Sequence, residues 1–170
     1  MHIAVKLDAP SGKPSVVKYR WDADTDILSA HVRDVRAGTG QNGMTGSVEI
    51  EGADGSWLIL DVRAGQIAGV EVAVWPDVKN VGTLVPPPAP MHASVSIPAR
   101  SSQPGIAALE VDTRLTAEAD AAERTIHFRL GSPQVTSVVR AATDLLLELD
   151  ERQHLVGVWM LNVPPFPSDP

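Results

Sequence analysis

An internal repeat constrains the fold of this chain more than any other feature of its sequence, because repeated units adopt the same supersecondary structure. The clearest match lies near the end of each half, where residues 58–70 read LILDVRAGQIAGV and residues 147–158 read LELDERQHLVGV. Both contain an apolar residue, an aspartate, a short polar turn, an apolar residue, a glycine and a valine, with one residue fewer in the second turn. This order predicts a tandem duplication that aligns Asp61 with Asp150 and Gly69 with Gly157.

The match extends on both sides of this segment. Residues 27–32 (ILSAHV) parallel residues 125–130 (TIHFRL), and Pro76 parallels Pro164. Consecutive prolines after the first copy and at the end of the chain favour an extended backbone and cannot donate to a sheet. We interpret both proline-rich segments as spacers, with a docking peptide for an aromatic groove as the alternative. The predicted organisation is a first β repeat at 1–80, a proline-rich linker at 81–104, a second β repeat at 105–163 and a proline-rich tail at 164–170.

Alternating apolar and polar residues predict antiparallel strands. Apolar runs at 47–51, 57–62 and 67–75 are separated by turn residues such as glycine and aspartate. A unit of about 60–70 residues is marginally stable alone, so the two copies should pack together. The predicted fold is therefore mainly β, with two pseudo-symmetric antiparallel β-meander repeats packed into one core.

Residues 133–150 carry two conflicting patterns. Their apolar residues recur at helical spacing, with Ser132 as a suitable N-cap and Pro133 as a suitable first helical residue. The repeat instead predicts two strands, and we favour the repeat because tertiary context overrides local propensity. A helix in the second repeat remains the alternative. Alanine and glutamate also favour a short helix at 116–124.

Composition narrows the class of protein. The chain has no cysteine, which excludes disulfides and thiolate metal sites and fits a reducing compartment. Its first residues do not resemble a signal peptide, and no apolar run approaches the roughly 18 residues of a membrane span. Its net charge of −7 and scattered basic residues disfavour nucleic-acid binding. We expect a cytoplasmic protein that binds neither membranes nor nucleic acids.

The unit resembles the short bacterial proteins of domain of unknown function family 2283. Residues 19–28 (YRWDADTDIL) resemble the family's aromatic and aspartate start, and residues 65–72 (GQIAGVEV) resemble its closing hairpin. The second copy departs from this pattern, with Gln153 at the first glycine and Trp159 at the glutamate. The resemblance implies a β-rich fold and transfers no activity and no catalytic residue.

Several short motifs carry little chemistry. The glycines at residues 38–43 match a dinucleotide-binding pattern but lack the following helix that such a site needs, so we interpret them as a hairpin loop. The aspartates at 22–26 open like a calcium loop, but its required glycine and glutamate positions hold Ile27 and Arg33. The histidines lack the spacing of a zinc site, and no nucleophile elbow is present. We predict no metal site, no cofactor and no catalytic residues.

The most interesting polar residues are His31, Arg33, His127 and Arg129, which lie on the polar face of matching predicted strands. If the copies pack with two-fold symmetry, these faces meet and form a cationic pocket for a carboxylate or phosphate. The alternative is a solvated sheet face.

Trp159 stands where the first copy has Glu71, which suggests an interface within or between molecules. The duplicated scaffold, the polar faces and the proline segments favour a non-enzymatic β-rich binding or assembly module, such as an accessory subunit, with a protein partner or a homo-oligomer. The alternative is a small-molecule binding protein or an enzyme, with an anionic ligand between the repeats.

Overall fold

The computed structural model describes residues 2–8, 14–33, 45–89, 91–98, 106–132 and 134–167. Within these ranges the chain forms strands and no helix, and no segment has the helical length and apolar character needed to cross a membrane. The strands are β1 (Lys6–Asp8), β2 (Val17–Asp22), β3 (Ile27–Val32), β4 (Thr45–Glu51), β5 (Trp57–Arg63), β6 (Gln66–Val74), β7 (Val78–Asn80), β8 (Ser94–Ser96), β9 (Ile106–Asp112), β10 (Leu115–Ala119), β11 (Ile126–Leu130), β12 (Ser137–Ala142), β13 (Leu145–Leu149) and β14 (Leu155–Met160).

The two copies have the same strand topology. In the first sheet, neighbouring strands follow the order β2-β3-β6-β5-β4, and every pair in this series is antiparallel. In the second sheet, the order β10-β11-β14-β13-β12 repeats this arrangement, again with antiparallel pairs. The predicted mainly β fold of two repeats is therefore confirmed.

Strand pairing fixes the register between the copies. Gly69 lies opposite Asp61, and Gly157 lies opposite Glu148. The counterpart of Asp61 is therefore Glu148, and the predicted alignment of Asp61 with Asp150 is wrong. Both hairpins contain a register shift just after these carboxylates, so the turn aspartate is not a fixed point of the repeat.

Residues 137–149 form β12 and β13, so the helical alternative for this region is wrong. All five residues of β13 are buried, because the second sheet is covered on both faces. A strand buried on both faces loses the alternation of apolar and polar residues, and its apolar run then resembles a helix. The predicted short helix at 116–124 is also wrong, because β10 pairs with β11 and buries Ala117 and Ala119.

The inner faces of the two sheets share one hydrophobic cluster. Leu28 and Ala30 of β3 contribute to it from the first sheet, and Ile126 and Phe128 of β11 contribute from the second. The residues that alternate with these side chains therefore project away from the core, on the outer face of each sheet.

Several strands cross between the two units. β7 pairs in parallel with β10 of the second sheet, although it precedes the predicted linker. β9 pairs in parallel with β4 of the first sheet, although it follows that linker. The linker itself contains β8, which pairs with β1, and a parallel bridge between His92 and Arg140. The two repeats are thus joined by shared sheets as well as by a shared core.

The start of the tail packs on aromatic side chains of the first sheet. The indole nitrogen of Trp21 donates a hydrogen bond of 2.9 Å to the Pro164 carbonyl oxygen. Trp21 also stacks with Trp75, with ring centroids 5.7 Å apart, and contacts Phe166 edge to face at 5.2 Å. This part of the tail is docked on an aromatic groove of its own chain.

Tyr19 joins the two sheets through its hydroxyl. That oxygen lies 2.8 Å from the carbonyl oxygen of Leu161 and 3.1 Å from that of Asp144, and donates its hydrogen bond to this pair. Burial raises the pKa of Tyr19 well above its usual value, and the nearby Asp144 charge adds to this effect. In the unfolded chain the hydroxyl ionises near its usual value of about 10.

We expect the replacement Tyr19→Phe to change how stability depends on alkaline pH. The raised pKa stabilises the folded state below about pH 10, and this contribution falls by about 1.4 kcal/mol per pH unit above it. Because Tyr19 is the only tyrosine, the variant has no tyrosine whose ionisation lowers its stability above about pH 10. Urea unfolding at pH 8 should show a variant less stable by about 1 kcal/mol, and the gap should narrow by pH 11. A difference in the free energy of unfolding that is the same at pH 8 and pH 11 would contradict the raised pKa of Tyr19.

Candidate functional site

The four predicted ligand residues do not form one pocket. His31, Arg33 and Arg129 are exposed, whereas His127 is buried. His31 and His127 lie on the outer faces of different sheets, because the residues beside them point into the shared core. The two polar faces therefore point away from each other, and each must be considered separately.

His127, Glu148 and Trp159 form a buried group on the outer face of the second sheet. His127 Nε2 contacts Glu148 Oε1 in a short polar contact. The His127 ring also stacks on Trp159, with centroids 4.0 Å apart and an interplanar angle of 10°. Gly157 makes room for this group, because a Cβ atom there would overlap the Glu148 carboxylate. Because Glu148 engages Nε2 and the His127 side chain is only 3% exposed, His127 is not placed as an accessible ligand residue.

A segment of the linker packs against Trp159, one member of this group. Leu84 and Ala89, at the two ends of the cover segment (residues 84–89), pack with Leu146 and Trp159. Trp159 is only 5% exposed, and its indole nitrogen has no hydrogen-bond partner. The interface suggested for Trp159 is thus, in this structure, a contact with its own chain.

The same surface of the first sheet is polar and accessible. By register, Ser29 replaces His127, Asp61 replaces Glu148 and Glu71 replaces Trp159. Ser29 donates a hydrogen bond of 3.3 Å to Glu71, and Asp61 lies 3.7 Å from the exposed Arg63. A shallow cavity of about 180 Å³ is lined by Ser29, Asp61 and Glu71, and His31 also lines it. Its two carboxylates suit a cationic group.

A larger cavity of about 360 Å³, the end cleft, lies at one end of the second sheet. It is formed by the N-terminal residues, the β9–β10 and β11–β12 connections and the β13–β14 turn. The N-terminal segment is held against this turn by hydrogen bonds from Val5 N to Gln153 O (3.0 Å) and from Leu155 N to Ile3 O (2.8 Å). The cleft therefore combines residues 2–3 with residues 150–156. These residues are far apart in the sequence, so no local motif reveals the cleft.

Asp150 organises the polar side of the end cleft. Its Oδ1 accepts hydrogen bonds of 2.9 Å from the backbone N–H groups of Arg152 and His154. Its Oδ2 lies 3.2 Å from His154 Nδ1. The His154 and Arg152 backbone hydrogen bonds hold the pKa of Asp150 below its usual value. The carboxylate is thus ionised and engaged, and it fixes the orientation of the His154 ring.

His2 packs against the face of this ring. The His2 and His154 centroids are 4.7 Å apart, and the rings are parallel to within 4°. Ala4 pairs with His154 in an antiparallel bridge, so His2 and His154 are diagonal neighbours on one face of the strand pair. Arg152 also lines the cleft, together with the hydroxyl-bearing residues Thr113, Ser132 and Thr136.

The remaining predicted motifs add no site. Across the described ranges, no three histidine, aspartate or glutamate side chains are placed to hold a metal ion. The aspartates of residues 22–26 form a turn in which Asp22 accepts the Asp24 N–H at 3.0 Å. The glycine motif at 38–43 lies outside the described residues.

Sequence reasoning missed the pairing of His127 with Glu148 and the whole end cleft. One signal was available: Glu148 interrupts an apolar run, and a buried carboxylate requires a partner. The wrong register, which aligned Asp61 with Asp150, made the apolar Ile59 the counterpart of Glu148. The repeat therefore gave no sign that a polar residue belongs at this position.

Comparison with known proteins adds no relative. No protein-family model matches the chain, and no curated protein matches it. The resemblance to family 2283 therefore stays a prediction.

Proposed function

We propose that this protein is a non-enzymatic β-rich binding module whose first sheet holds an extended, basic segment of a protein partner on its outer face. The observation that supports this is the cover segment, which packs on the equivalent face of the second sheet. The two faces share topology and register but differ in cover and in charge: on the second, Trp159 and Leu146 are covered by the chain itself, and the first is accessible and carries Asp61 and Glu71. The cytoplasmic location predicted from the sequence belongs to the same proposal.

The chemistry of the partner follows from the residues that differ. Trp159 and Leu146 contact the cover segment, and their counterparts in the first sheet are Glu71 and Ile59. If a partner segment lies on the first sheet as the cover segment lies on the second, one of its apolar residues contacts Ile59 and another of its residues lies beside Glu71. Glu71 and Asp61 are half-buried, so a lysine or arginine there gains charge-assisted hydrogen bonds that solvent only partly screens.

The test uses a labelled peptide with the sequence of residues 84–90, in which arginine replaces Ala89. Ala89 packs in the cluster with Trp159, so this arginine should meet Glu71. We expect fluorescence anisotropy to show saturable binding that is about tenfold tighter than for the same peptide with glutamate at this position. The replacement Glu71→Gln should remove most of this difference.

Glu118→Gln is the matched control, since Glu118 is also half-buried and faces outward beside His127 on the second sheet. It should bind the arginine peptide as the unchanged protein does. Absence of saturable binding, or equal affinity in the Glu71→Gln variant, would overturn the proposal. Self-association that Glu71→Gln abolishes would instead identify a second copy as the occupant and would likewise overturn it.

A further inference from the structure

We infer that the end cleft is a binding site for a small anion that carries a carboxylate or phosphate group, and that this site acts separately from the outer face of the first sheet. Its volume of about 360 Å³ lies in the range of small-ligand pockets. Residues that carry side-chain donors line it from four parts of the chain: the N-terminal segment, the β9–β10 connection, the β11–β12 connection and the β13–β14 turn.

The carboxylate of Asp150 does not oppose an anion as a free charge would. Three donors already satisfy it: the N–H groups of Arg152 and His154 and the His154 ring. The same hydrogen bonds hold the backbone of Arg152 and the ring of His154 in place. Because His154 Nδ1 bonds to Asp150, Nε2 is the ring nitrogen available to a ligand. Arg152 follows Asp150 in the same turn, and its guanidinium supplies the planar donor group that suits carboxylate and phosphate oxygens.

We expect anion binding at this site to depend on pH, because a protonated imidazole attracts an anion more strongly than a neutral one does. The ionisable residues that line the cleft are two histidines, one arginine and two acidic residues: His2, His154, Arg152, Asp150 and Glu151. Protonation of both rings places two positive charges within 4.7 Å of each other. A bound anion between them and Arg152 relieves this repulsion, so binding of the anion and of protons favour each other.

Two probes distinguish the sources of this chemistry: inorganic phosphate and succinate. Calorimetry on the full chain at pH 6 and pH 8 should show binding of at least one probe, tighter at pH 6 by fivefold or more. The variant R152Q should weaken this binding at least tenfold. NMR of the imidazole signals should show that the probe shifts His2 and His154 together and leaves His31 unchanged.

R124Q is the control, because Arg124 is an exposed arginine in another turn and does not line the cleft. It should bind as the unchanged protein does. Tighter binding of phosphate identifies a phosphorylated ligand, and tighter binding of succinate identifies a carboxylate. Affinity for both probes that is unaffected by R152Q, or is equal at the two pH values, would overturn the inference. Because the outer face of the first sheet is untouched by these variants, the peptide-binding result remains independent.

Discussion

Glu148→Ala is expected to lower the free energy of unfolding by about 3 kcal/mol, because it leaves the buried His127 ring without its polar partner and removes buried side-chain volume. His127 and Glu148 are only 3% and 7% exposed in their side chains and contact each other directly. Trp159 stacks on the His127 ring and is itself packed against Leu84 and Ala89, so the ring stays in buried surroundings once its carboxylate partner is gone. A loss of this size is a large part of the 5–15 kcal/mol that stabilises a typical domain, on the order of one third.

The duplication supplies the control. Asp61 is the counterpart of Glu148 but is half-exposed, so Asp61→Ala should cost less than about 1 kcal/mol. Replacing both His127 and Glu148 with leucine removes both polar groups and should recover most of the loss, since apolar residues of similar volume often substitute for a buried pair. Urea unfolding followed by tryptophan fluorescence measures all three variants. If Glu148→Ala and Asp61→Ala were equally mild, the pair would not be buried in solution.

Phe128→Ala is the second replacement with a large expected cost, about 3–5 kcal/mol, through loss of buried area and the cavity that remains. Phe128 is fully buried between the sheets. Its ring centroid lies 5.9 Å from that of Trp75, which follows the last long strand of the first copy. The contact therefore ties the second sheet to the aromatic groove of the first, and its loss should destabilise both units together.

Phe166→Ala is the matched control, because Phe166 is the only other phenylalanine and contacts the same aromatic group from its exposed side. Its loss should cost about 1 kcal/mol or less, as expected for a half-exposed edge-to-face contact. Thermal unfolding should show one cooperative transition in both phenylalanine variants, with the larger downward shift for Phe128→Ala. Two separate transitions in Phe128→Ala would contradict a shared core.

Much of the fold is predictable because the repeat and the strand period agree. The apolar runs at 57–62 and 67–75 predict strands, and the structure has Trp57–Arg63 and Gln66–Val74 there. Residues 137–149 form two strands as the repeat predicts, against their own helical spacing. The helical pattern is a by-product of burial on both faces, which depends on the cover segment and which the strand residues alone do not reveal.

The candidate sites are less predictable because they depend on contacts between distant residues. His2 and His154 meet only after the N-terminal segment pairs with the β13–β14 turn. The predicted cationic pocket assumed that polar faces meet at the interface, whereas the apolar residues that alternate with His31 and His127 form the interface and turn the polar faces outward. A two-sheet protein must bury its apolar faces first, so this outcome follows from the same alternation that predicts the strands.

The parallel pairing of β9 with β4 has a consequence for synthesis on the ribosome. Every residue of β4, from Thr45 to Glu51, pairs with a residue of β9, from Ile106 to Asp112. While the first copy emerges, the hydrogen-bonding groups of β4 on this side have no strand partner until the chain has been translated through Asp112. An unpaired strand edge readily joins other chains. The nascent chain therefore passes through a stage of exposure to aggregation that ends only when the second copy has begun, and shielding by a chaperone would matter most in that interval.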